Sequence, residues 1–212
     1  MSYQLLNIAV PAILGLLCFF IKSERKNLMR FLGVYFLITS MGEITGWIID
    51  VYYPDAVSLF FYDKLFIPFQ NLLAFAFFAI AFRQRQYKMG TILFAAIYFI
   101  CFLIEKFIVK YKSQELSYYS YCIDSIFIMI ICLLYLVSMV KSAAILNYKK
   151  DIIFWFSAGT LFFQLFTFPF FALIDLWFTY PDIGNTYFYF TIYCIHISYL
   201  FYTAGLICLK LK

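Results

Sequence analysis

Seven apolar runs, joined by short connectors, occupy almost the whole of this 212-residue chain and leave little choice of fold. A run of about 18 or more apolar residues is long enough to cross the roughly 30 Å hydrocarbon core of a bilayer as a helix. The runs fall at about residues 5–21, 28–49, 64–82, 91–109, 119–140, 152–178 and 187–209. They predict an all-α integral membrane protein, a seven-transmembrane-helix bundle in a single transmembrane domain over residues 1–212. Only 13% of the residues are charged against 66% apolar, too little charge to clothe a separate soluble domain. The first run has no basic segment before it and no small-residue cleavage site after it, so it reads as a retained helix and not a removed signal peptide.

Lysine and arginine in short loops set orientation. With the N-terminus outside, the cytoplasmic face receives Lys22, Arg25, Lys26, Arg30, Arg83, Arg85, Lys88, Lys141, Lys149, Lys150, Lys210 and Lys212. The outer face keeps Lys64, Lys106, Lys110 and Lys112. Seven spans with this bias predict an N-out, C-in topology. The longest connectors, about residues 50–63 and 110–118, are then both outside, and the inner ones are short and basic. The net charge of +5 is a topology signal on this reading, with anionic lipid or a cytosolic partner as further uses of it, and no direct nucleic-acid partner is predicted.

The second run, NLMRFLGVYFLITSMGEITGWIID, carries Glu43 between Gly42 and Gly46. An ionisable group inside a span almost never faces lipid. The helix is therefore expected to be interior, with partners for Glu43 on its neighbours. The two glycines have the small-xxx-small spacing that lets another helix backbone approach. Other spans also hold polar residues: Gln70 and Asn71 in the third, Asp124 in the fifth, Gln164 in the sixth and His196 in the seventh. By the helical rise, Glu43, Gln70, Asn71 and His196 sit roughly 9–14 Å below the outer ends of their spans. Their depths are compatible with one shared layer. That layer fits either a hydrogen-bonded packing cluster or an outward-opening cavity, with Glu43 and His196 as a titratable pair and Gln70 and Asn71 as neutral donors. Tyr52, Tyr53, Tyr62, Tyr118, Tyr119, Tyr121, Tyr180 and Tyr187 mark the outer ends of spans and predict an interfacial aromatic belt.

What is missing narrows the chemistry. The last span has no lysine near its middle for a retinal Schiff base, and one histidine cannot supply the ligand set of a seven-span zinc hydrolase. No Gly-rich phosphate loop is present. Six cysteines lie in or beside apolar runs without a CxxC, which predicts packing and not disulfides or a metal site. No cofactor is expected, and no catalytic residue is assigned. A transporter would need polar groups at the midplane and a visible inverted repeat.

YFLITSMGEITGWIID, FYDKLFIPFQNLLAFAFF and DIIFWFSAGTLFFQL resemble segments of an uncharacterised group of small seven-span bacterial inner-membrane proteins. The resemblance covers most of the length and implies no known chemistry. Similar membrane segments occur as sensory regions ahead of signalling domains, although no such domain follows in these residues, and small multi-span proteins occur as membrane accessories beside antiphage systems, including RNA-targeting CRISPR effectors. The expected function is a non-enzymatic sensor or accessory that acts through a membrane or cytosolic partner. A defence accessory forming an oligomeric pore and an intramembrane enzyme acting on lipid are the alternatives.

Overall fold

A computed structural model describes residues 2–21, 23, 25–53, 57, 60–107, 118–173, 176 and 179–210. Among them the long elements are all helices: α1 Ser2–Phe20, α2 Lys26–Tyr52, α3 Ile67–Ala81 entered through a π-helical turn Tyr62–Phe66, α4 Arg85–Phe107, α5 Tyr118–Val140, α6 Ile152–Ala172 and α7 Pro181–Lys210. A 3-10 segment, Ala143–Lys150, broken by a kink at Asn147, joins α5 to α6. No strand occurs among the described residues. Six helical stretches are long and apolar enough to cross a membrane, while the apolar stretch of α1 is shorter. Their outward faces carry large apolar side chains such as Met41, Leu93, Leu133, Leu165 and Leu200, a surface suited to acyl chains and not to water. By length and composition this is a multi-pass membrane protein.

The helices group into two compact units, residues 1–117 and 118–212. In the first unit α1 and α2 run antiparallel in tight register. A Cβ built on Gly15 would lie 3.0 Å from the Gly33 carbonyl oxygen, and one on Gly33 would lie 3.0 Å from that of Gly15. The two backbones approach this closely because neither position has a side chain. Seven residues away along each helix, Ser40 Oγ donates to the Ile8 carbonyl at 2.8 Å. Leu14, Cys18, Met29, Leu32 and Phe36 are buried in this unit.

In the second unit α5 and α6 are also antiparallel. The Tyr135 hydroxyl donates to Asp151 at 2.6 Å at one end, and Tyr121 packs on Phe171 with centroids 5.1 Å apart at the other. Asp151 caps α6 as well, accepting from the Ile153 N–H at 2.9 Å, so one carboxylate fastens the start of α6 to the end of α5. Helix α7 packs on α6 through Gly159, which lies against the Ser198 carbonyl, and through the Thr160–Tyr202 hydroxyl pair at 3.0 Å.

Three details differ from the sequence-based expectations. The sixth run is not one helix to residue 178: α6 ends at Ala172 and Leu173 leaves the helical region at φ −114, ψ 24. Helix α2 is not interior all round, since Met41, Ile44, Ile48 and Val51 form an exposed face. Tyr62 and Tyr121 leave the expected belt. Tyr62 fills the space over Gly46, and Tyr121 is buried beside Phe171, whereas Tyr52, Tyr53, Tyr119 and Tyr180 are exposed. Lys22, Glu24, Lys110, Lys112 and Lys212, and the connector over 110–117, lie outside the described residues.

Candidate functional site

Two polar residues of the first unit, Tyr62 and Asp63, are placed by the wide turn at Tyr62–Phe66. Pro68 has no N–H to return to the carbonyl four residues back, and its ring would crowd that carbonyl in a regular helix. The chain meets this with a π turn, in which the Ile67 N–H bonds to the Tyr62 carbonyl. Tyr62 and Asp63 then serve different neighbours.

Tyr62 turns to α2. Its ring end occupies the space that a Cβ on Gly46 would need, within a turn of Glu43. The Phe66 ring similarly fills the position of a Cβ on Gly42. The small-xxx-small notch thus receives two aromatic rings and not a helix backbone. The intimate backbone approach occurs instead at Gly15–Gly33. One turn further along α2, Thr39 Oγ1 accepts from Gln70 Nε2 at 3.1 Å. Gln70 therefore bonds to α2 one turn away from Glu43.

Asp63 turns to α4, where its carboxylate is ion-paired with Lys106, both side chains being largely buried. The Lys106 ammonium also lies 5.6 Å from the Phe102 ring centroid. Eight residues below Asp63, Asn71 Nδ2 donates to the Tyr98 hydroxyl at a long 3.4 Å. Gln70 and Asn71, adjacent in sequence, thus point to opposite neighbours and do not form a common donor pair. Glu105, next to Lys106, is buried.

In the second unit, Asp124 and Gln164 lie on the facing stripes of α5 and α6. The buried stripe of α5 is Tyr121, Asp124, Ile128, Ile131 and Tyr135; that of α6 is Ile153, Ser157, Thr160, Gln164 and Thr167. The Tyr121–Phe171 and Tyr135–Asp151 contacts set the register, so Asp124 falls opposite the turn from Gln164 to Thr167. Asp124 is 3% exposed and its Oδ1 has no hydrogen-bond partner; Ser157, at 0%, has an unpaired Oγ. Leaving such a buried group unmatched costs about 1–3 kcal/mol, so two of them on one seam call for an explanation.

His196 is elsewhere. Tyr187, Phe190, Ser198, Phe201, Tyr202 and Gly205 make the contacts of α7 with α6. At about 100° per residue, His196 lies on the opposite side of α7 from that stripe. Its Nε2 is buried and without a hydrogen-bond partner. Its depth matches Gln164, but the two side chains project from different faces.

Compared with protein-family models, curated proteins and solved structures, the chain matches none. Among the described residues no group of three or more His, Cys, Asp or Glu side chains gathers to hold a metal ion. The pair that sequence reasoning missed is Asp63–Lys106. Its signal was two opposite charges at the facing ends of consecutive spans.

Proposed function

We propose that this protein is a seven-span sensor or accessory of a bacterial inner membrane that works through a partner, with its N-terminus outside and its C-terminus in the cytoplasm. Helix α1 is the seventh span on this reading. Its 19 residues reach about 28 Å at the helical rise, close to the thickness of the hydrocarbon core. Its outward residues Leu5, Ile13, Leu16 and Phe20 suit lipid contact. The bias of basic residues to the short loops at one end supports the orientation.

The observation that carries the sensor reading is the α5–α6 seam, with Asp124 Oδ1 and Ser157 Oγ buried and unmatched. A seam that leaves this cost standing is a natural element for a two-state response, because a second arrangement of the helices can supply the missing bonds. The connector Ala143–Lys150 joins the same two helices and ends in Lys149 and Lys150, both exposed. A shift of the seam therefore moves a basic surface on which a partner can read it.

Photocrosslinking from residue 146 in native membranes tests this. The same partner adduct should form with the wild-type chain, and its yield should change at least several-fold in Asp124→Asn or Ser157→Ala. An unchanged yield in both variants, or turnover of a substrate by the purified chain alone, would overturn the reading.

A further inference from the structure

At the end of the α2–α3 pair remote from Glu43, a cavity of about 370 Å³ opens between the start of α2 and the end of α3. It is lined by Arg25, Lys26, Asn27, Leu28, Ile80, Ala81 and Arg83. Arg25, Lys26 and Arg83 are among its lining residues, and among the described residues no carboxylate is ion-paired with any of them. Among the described residues, like charges are gathered there without an ion-paired acid. Arg25 Nη1 is moreover fully shielded from solvent and has no hydrogen-bond partner. A guanidinium nitrogen taken out of water without an acceptor is a costly arrangement unless an acceptor arrives.

The backbone adds to this. Helix α2 begins after Arg25 with no side-chain cap, so the N–H groups of its first turn, Lys26 and Asn27 among them, have no side-chain acceptor at the N-cap position. The positive end of a 27-residue helix therefore adjoins the same cavity. On the other side the wall is apolar, formed by Leu28, Ile80 and Ala81.

We propose that this cavity binds a phosphate ester, with Arg25 and Arg83 gripping the phosphate oxygens and Lys26 adding charge. The guanidinium fork matches two phosphate oxygens at once, which an ammonium cannot do. The volume lies at the small end of the range for ligand pockets. Its place at the ends of two apolar helices puts it at the level of lipid headgroups, and the apolar wall suits the glycerol end of a phospholipid. A phospholipid headgroup and a soluble phosphate ester share this chemistry, and the two sources are separated by experiment.

The protein is purified in detergent, stripped of lipid, and placed in nanodiscs of phosphatidylcholine alone or with phosphatidylglycerol. Bound lipid is counted by native mass spectrometry of the released protein. The wild type should retain phosphatidylglycerol selectively. Arg25→Gln and Arg83→Gln should each weaken retention about ten-fold or more, Arg25→Lys should be intermediate, and Arg85→Gln, a cation not lining the cavity, should leave it unchanged. A parallel arm adds inorganic phosphate or glycerol 3-phosphate to the phosphatidylcholine discs. Binding in that arm alone, lost with the same two arginines, assigns the cavity to a soluble phosphate ester and upholds the chemistry. Equal retention by wild type, Arg25→Gln, Arg25→Lys and Arg83→Gln, or equal loss in Arg85→Gln, overturns it. The partner-adduct experiment reads a different unit of the chain, so either proposal can fail without the other.

Discussion

Removing one charge of the Asp63–Lys106 pair should destabilise the protein far more than removing both. The two side chains are 6% and 11% exposed. Breaking such a pair on one side strands the other charge, at about 3–5 kcal/mol. The two singles are not equivalent. Lys106 lies next to the last residue of α4, and its flexible stem can carry the ammonium toward the headgroups when Asp63 is gone. Asp63→Leu is therefore expected to cost about 2–3 kcal/mol, below the usual range for a buried pair. Lys106→Met removes the ammonium from a short, largely buried carboxylate, and is expected to cost about 4 kcal/mol. The double variant exchanges the pair for apolar side chains and should fall within about 1 kcal/mol of the wild type. Unfolding in mixed micelles, followed by helical circular dichroism against the mole fraction of denaturing detergent, measures all four proteins. A double variant as unstable as the sum of the two singles would refute the argument, because the sites would then be independent.

Gly42→Ala should destabilise by about 1–3 kcal/mol through overpacking, since its methyl group would enter the Phe66 ring. Gly90→Ala, where nothing lies within 4 Å, should instead gain about 0.5–1 kcal/mol from helix propensity; equal behaviour in the same unfolding assay would contradict the packing described. Asp151→Ala removes the acceptor of both the Ile153 N–H and the Tyr135 hydroxyl and should cost about 2–3 kcal/mol. Asp151→Asn, which can still cap, should recover a good part of that loss, and recovery of none would mean that the helix start does not depend on this side chain.

The apolar runs were legible because the length of a membrane span is a property of the sequence itself. Where side chains point was much less so. The depth of His196 could be counted along its span, but its direction depends on which face of α7 packs on α6, and that face is set by Gly159, Ser198 and Tyr202 in space. The spacing of Gly42 and Gly46 announced a notch without saying what would fill it. Asp63 and Lys106 sit at the ends of their spans, where charge looks ordinary. Gln70 and Asn71 were visible as a pair, but adjacent helical positions diverge by about 100°, and they reach different neighbours because α2 and α4 lie on either side of α3.

The wide turn at Tyr62–Phe66 holds more residues than a regular coil of the same height. The stretch before it is thereby rotated against the stretch after it. Deleting Leu65 would restore the common pitch and leave everything from Pro68 onward where it is. Tyr62 and Asp63 would swing round the axis by about 100°, and both would lose their partners in one step. A single backbone irregularity thus ties the ring packed over Gly46 of α2 and the ammonium of α4 to the same mechanical element, so that neither can be released without disturbing the other.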